Sequence, residues 1–225
     1  MPQPLQVPLA VPLQRLVLIG GGEFSFGETR EIDQYLLAQM PRERRTVAFL
    51  PTASGSPEYA GHIGRYFKEI DPSVETVNVP IYRGRDSRRQ KNINMILSAG
   101  MVYLGGGVTN QLLATVHESP ADMAMRDAAA NVTVIAAIGA AASCFGTQVR
   151  DMRGLVPSVS GLGWLRETVI ETGFIPENDE SLRRLMSLPD VHLGIGIPSS
   201  TALAIAADGT TEVIGRGNVA AFRKK

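Results

Sequence analysis

Cysteine and histidine are scarce: the 225 residues include one Cys, Cys144, and three His. A single thiol makes no internal disulfide and no Cys-rich zinc site, and no metal is expected. Three histidines leave few side chains that change charge near neutral pH. Aromatic residues make up only 6%, too few for a base-stacking platform. Net charge is also absent, with 22 Lys+Arg against 22 Asp+Glu. A duplex nucleic-acid binder carries a basic excess, so nucleic acid is not an expected partner. No run reaches the roughly 18 apolar residues of a membrane-spanning helix, and no membrane association is expected. A P-loop and a complete dinucleotide fingerprint are both missing, and no cofactor is expected. One cysteine, with no charged n-region of an export signal, fits a reducing cytoplasm.

What is present is a balanced globular composition, 44% hydrophobic and 20% charged, with 23 glycines. Pro2, Pro4, Pro8 and Pro12 favour an extended leader over a helix, so residues 1–14 are expected to be a flexible arm. Residues 15–225 are expected to form a single domain. Apolar runs at 15–20, 46–51, 74–79, 100–105 and 131–137 end at or near Gly or Pro and are rich in Val and Ile. Such runs predict strands buried on both faces. Between them, 28–40, 57–70, 89–98, 109–116 and 121–130 repeat apolar residues at helical spacing. This alternation predicts an α/β fold with a doubly wound, mainly parallel sheet. Later short strands are expected at 168–170, 192–197, 202–206 and 212–214. Asp208-Gly209 between the last two predicts a C-terminal β-hairpin that finishes the sheet. The apolar stretch 132–144 is a candidate surface for homo-oligomerisation.

Ligands of open parallel sheets bind beyond the carboxyl ends of the strands, and four small-residue turns fall there. Gly20-Gly21-Gly22-Glu23 follows the first run, and Pro51-Thr52-Ala53-Ser54 the second. Gly105-Gly106-Gly107-Val108-Thr109-Asn110-Gln111 follows the fourth. Gly21, Gly22, Gly106 and Gly107 offer backbone amides to a ligand, with Glu23, Thr52, Ser54, Thr109 and Gln111 as side-chain candidates. Thr52, Ser54 and Thr109 are equally good as helix caps or turn residues. The fourth turn, Ala137-Ile138-Gly139-Ala140-Ala141-Ala142-Ser143-Cys144, has the strand, tight turn and helix outline of a nucleophile elbow.

In order and spacing, LVLIGGGEF, VAFLPTAS, VYLGGGVTNQLL, GLGWL, TVIETGF, LGIGIPSSTALAI and GTTEVIGRGNV resemble the peptidase E and cyanophycinase family of serine peptidases. The resemblance extends over nearly all of residues 15–222. It implies the class I glutamine-amidotransferase-like α/β fold, a flavodoxin-like arrangement. It also implies acyl transfer by an elbow Ser, with a His from an Asp-x-His-Phe-like segment as general base and backbone amides around the oxyanion. Here Gly139 stands at the Ser position, or Ala141 in a register shifted by two residues. Gly173 stands at the His position in Glu171-Thr172-Gly173-Phe174.

Three readings follow. The first is a catalytically silent homologue that binds a small peptide or carboxylate, with Glu171, Thr109 and Gln111 lining either an open or a filled cleft. The second is a hydrolase or amidotransferase-like enzyme with a displaced nucleophile, Cys144 or Ser143, and a base drawn from His62, His117 or His192. The third is a nucleotide or phosphate binder using the glycine turns with Arg83, Arg85, Arg88, Arg89 and Lys91, although this charge run reads more readily as a solvated loop and helix face.

Overall fold

Four parallel strands bury both faces at once, so their sequences show no polar alternation. The computed structural model describes residues 5–224. In β1 (Arg15–Ile19), Leu16 and Leu18 enter one hydrophobic cluster while Val17 and Ile19 enter another. The chain continues through α1 (Arg30–Gln39), β2 (Thr46–Leu50), α2 (Glu58–Ile70), β3 (Glu75–Asn78) and α3 (Gln90–Ser98). It then forms β4 (Met101–Leu104), α4 (Thr109–Val116), α5 (Pro120–Ala130) and β5 (Val134–Ile138). Residues of β2, β4 and β5 divide between the same two clusters. Ile32 and Leu36 of α1, with Ile63 and Phe67 of α2, cover one face of the sheet. Ile96 of α3, Leu112 of α4 and Met125 of α5 cover the other.

After β5 come α6 (Ala140–Ser143), β6 (Gln148–Arg150), β7 (Ser158–Ser160), β8 (Thr168–Thr172) and α7 (Glu180–Met186). Last are β9 (Leu193–Ile197), β10 (Thr201–Ala206), β11 (Thr211–Gly215) and β12 (Ala220–Arg223). The main sheet has the order β11-β10-β1-β5-β4-β2-β3. Its β1, β5, β4, β2 and β3 are parallel, and β10 and β11 are antiparallel additions beside β1. The expected hairpin is therefore present as β10 and β11. Asp208 Oδ1 accepts from the Thr210 amide and hydroxyl at its turn.

A second sheet, β12-β9-β8-β6-β7, was not expected. Its short strands QVR and SVS carry too few residues to show a period. The expected strands at 168–170 and 192–197 belong to this sheet. The expected strand at 131–137 begins later, at Val134. Asn131 caps α5, and the Thr133 amide returns to Ala128 O.

The flexible leader is corrected for residues 5–14, while residues 1–4 lie outside the described structure. Val7, Val11 and Leu13 are buried in the main core. The Val7 amide donates to Gly209 O, Ala10 to Trp164 O and Gln14 to Ala129 O. The prolines keep this segment extended, and extension lets it lie along its own domain. The apolar stretch 132–144 is likewise core: residues 134–138 and 141–145 are buried, and Val132 is its exposed apolar residue. No helix among the described residues is long and apolar enough to cross a membrane.

Candidate active site

β5 lies at the centre of the sheet between β1 and β4, so its carboxyl end is flanked by both triple-glycine turns. Gly139 leaves β5 with φ 57° and ψ −127° and caps α6. This is a region that essentially only glycine occupies without strain, and it turns the strand sharply into the helix. The Gly139 amide donates to Ile19 O at 2.9 Å. A Cβ built on Gly139 meets nothing within 4 Å. The elbow tip is therefore Gly139. The shifted register fails, because Ala141 is buried within α6.

Gly173 follows β8, and its amide donates to Gly20 O at 2.8 Å. This bond brings the expected base position to the turn after β1. A Cβ on Gly173 also meets nothing within 4 Å. The turn after β4 packs differently. A Cβ on Gly107 would lie 2.3 Å from Ala53 O, so this glycine lets the 105–107 turn close onto the 51–54 turn. Gly106 sits against Ile138 O, beside the elbow. The Gly21, Gly22, Gly106 and Gly107 amides donate to no acceptor among the described residues, which leaves them free for a ligand.

The side-chain candidates separate. Thr52 is buried and donates to Ile81 O at 2.8 Å, and Ser54 closes its own turn through Pro51 O and the Ser56 amide. Both serve local structure. Glu23 is exposed and, with Tyr59 and His62, lines a separate cavity of about 640 Å³. Gln111 Nε2 reaches toward Gly55 rather than Gly139. Thr109 is not the helix cap, because Val108 holds that position. Its hydroxyl is buried and has no hydrogen-bond partner among the described residues. Beside the elbow, Thr109, Ala140, Ser143, Arg150, Glu171 and Thr172 share a cavity of about 130 Å³. A larger cleft of about 660 Å³ includes Arg150, Asp151, Glu171 and Gly173.

The profile of peptidase family S51 matches residues 16–213, almost the whole chain. The chain belongs to peptidase family S51. The uncharacterized peptidase YgaJ of Bacillus subtilis is 33% identical over 159 residues, covering 68% of this chain and 66% of YgaJ. The cyanophycinase of Trichormus variabilis is 26% identical over 217 residues, covering 90% of this chain and 72% of that protein. A crystal structure of a peptidase from an acI-B1 Actinobacterium superposes with TM-score 0.76 at 22% identity, over 94% of this chain and 91% of that one. A putative peptidase E from Listeria monocytogenes aligns at TM-score 0.55 and 15% identity, over 95% of this chain and 100% of that one. These two structures support the fold.

In this S51 chain the fallback nucleophiles occupy different surroundings. Cys144 is fully buried, its Sγ lies 3.3 Å from Ala140 O, and burial pushes its thiol far above the usual range. A thiol held this way is a poor nucleophile. Ser143 faces the small cavity, but its hydroxyl pairs with the Thr172 hydroxyl at 3.0 Å. No histidine lines either cavity beside the elbow. His62 is on α2, His117 ends α4, and His192 precedes β9, 3.3 Å from the Glu167 carboxylate.

Two residues of this region carried no sequence expectation. Arg150 ends β6 and lines both cavities. Asp151 follows it, with a fully covered side chain. Its carboxylate accepts from Asn110 Nδ2 and from the amides of Arg153, Leu155 and Val156. Burial alone would raise its pKa, but these hydrogen bonds prevail and hold the group far below the usual carboxylate range. Asp151 thereby fixes residues 151–156 against the helix that follows the Gly105–Gly107 turn. An Asp beside Arg153-Gly154 is a turn signal that sequence reading could have used.

Proposed function

We propose that this S51 chain has lost covalent catalysis and acts by binding a small peptide or carboxylate in the cleft at the strand ends. The observation that carries this reading is Gly139, which supplies the elbow's turn but no nucleophilic atom. Gly173 leaves the expected base position equally bare. Removing such a nucleophile alone typically costs roughly 10⁶ in rate, and removing the base costs a similar factor. The free amides of Gly21, Gly22, Gly106 and Gly107 remain suited to a carboxylate. The likeness to proteins named peptidase and cyanophycinase supports a peptide as the ligand class. The lone buried Cys144 is compatible with a cytoplasmic setting.

The test incubates the purified protein with cyanophycin and with Asp-X dipeptides, and follows release of free amino groups. The expected result is no release above buffer, alongside a thermal shift on adding the dipeptides. Turnover by the wild type would overturn silence. If Ser143→Ala then abolished it and Cys144→Ala did not, the nucleophile would be the displaced Ser143.

A further inference from the structure

The cavity of about 130 Å³ beside the elbow has a charge pattern that the silent-homologue reading leaves unexplained. Its lining holds one cation, Arg150, and one carboxylate, Glu171. Arg150 has no carboxylate partner among the described residues, and its one side-chain contact is the Met152 sulfur at 3.7 Å. Glu171 accepts from Ser181 Oγ through a single oxygen, Oε2. Thr109, Ser143 and Thr172 also line the cavity. The hydroxyls of Ser143 and Thr172 bond each other, and that of Thr109, a residue 3% exposed, is unpartnered among the described residues. The space corresponds to roughly four water molecules.

We infer that this cavity is a site for a small free α-amino acid, with its carboxylate toward Arg150 and its ammonium toward Glu171. A lone inorganic anion fits poorly, because Glu171 would repel it. A metal cation fits poorly, because Arg150 would repel it and only one carboxylate faces the space. A zwitterion satisfies both charges together. The inference rests on the silent-homologue reading only in placing the ligand beside an elbow that performs no chemistry.

Calorimetry and thermal-shift titrations with glycine, L-alanine, L-serine and L-aspartate test it, with sodium acetate and methylammonium chloride as single-charge controls. At least one amino acid is expected to bind saturably, and the two controls are not. Arg150→Met and Glu171→Gln are each expected to weaken binding about tenfold or more. Absence of amino-acid binding, equal binding of acetate, or binding insensitive to both charge variants would overturn the site. Peptide turnover is scored separately. Turnover with amino-acid binding intact would sink the silent reading alone, and an inert protein that binds no amino acid would sink this site alone.

Discussion

Neutralising Asp33 should remove a pH dependence that the fold builds into α1. Asp33 is 1% exposed. One carboxylate oxygen accepts from the Thr29 hydroxyl at 2.7 Å and the Tyr66 hydroxyl at 2.9 Å. The other is buried without a partner among the described residues. Burial raises its pKa from 3.8 to about 6, although the Thr29 and Tyr66 hydrogen bonds pull the other way. In the unfolded chain the group returns to its ordinary value, so between pH 4 and 6 the native state keeps a proton that the unfolded state has released. Stability from this group is therefore fully present below about pH 4 and lost as pH rises through about 6. Two pKa units correspond to about 3 kcal/mol.

Asp33→Asn keeps a carbonyl oxygen for Thr29 and Tyr66 and stays neutral throughout. The stability of the variant minus that of the wild type should therefore grow by about 3 kcal/mol between pH 4 and pH 7. At this chain length that is about 6–12 °C in melting temperature. Taking the difference between the two proteins cancels the other carboxylates, so melts or urea curves at matched pH suffice. A difference that stays constant, or that shrinks as pH rises, would refute the reasoning, because it would mean that Asp33 is stabilised as a carboxylate.

Deleting residues 2–14 should cost about 5 kcal/mol or more, because Val7, Val11 and Leu13 leave the core; an unchanged urea midpoint would contradict this. Cys144 should react with an aromatic disulfide reagent only as fast as the protein unfolds, measured by absorbance against denaturant, since its thiol is buried and protonated. Gly139→Ser should fold with a loss of about 1–3 kcal/mol from backbone strain. Gly20→Ala should fare far worse, because its Cβ would lie 2.0 Å from Pro198 O; comparing the two melting temperatures checks the contrast.

The main sheet was legible because β1, β2, β4 and β5 are continuous apolar runs, a pattern forced by burial on both faces. The second sheet was not, because β6, β7 and β12 are three or four residues long and owe their pairing to neighbours far away in sequence. The turn after β5 was legible as a run of small residues, but its tip stayed open between Gly139 and Ala141, because only the folded backbone shows that α6 begins at Ala140. Residues 5–14 misled because proline density reports extension and says nothing about what the extended chain touches. Asp33 and Arg150 were invisible for a related reason. A charged residue at helical spacing, or at the end of a short strand, shows its surroundings only once the packing is known.

The glycines themselves exchange roles once their neighbours are known. Gly20, Gly105 and Gly107 read as ligand turns, yet each has a packing demand: a Cβ would press on Pro198 O, the Phe49 ring or Ala53 O. Their presence would be required in an inert protein. Gly139 and Gly173 are the opposite case, since a Cβ at either meets nothing within 4 Å. Packing does not demand glycine there, so the missing side chains leave open space that the core does not use. Gly173 borders the cleft of about 660 Å³, and Ala140, next to Gly139, borders the cavity of about 130 Å³. At both positions glycine therefore answers to backbone conformation, with φ 57° and 63°, and not to crowding, so a side chain placed there would be limited by backbone strain alone.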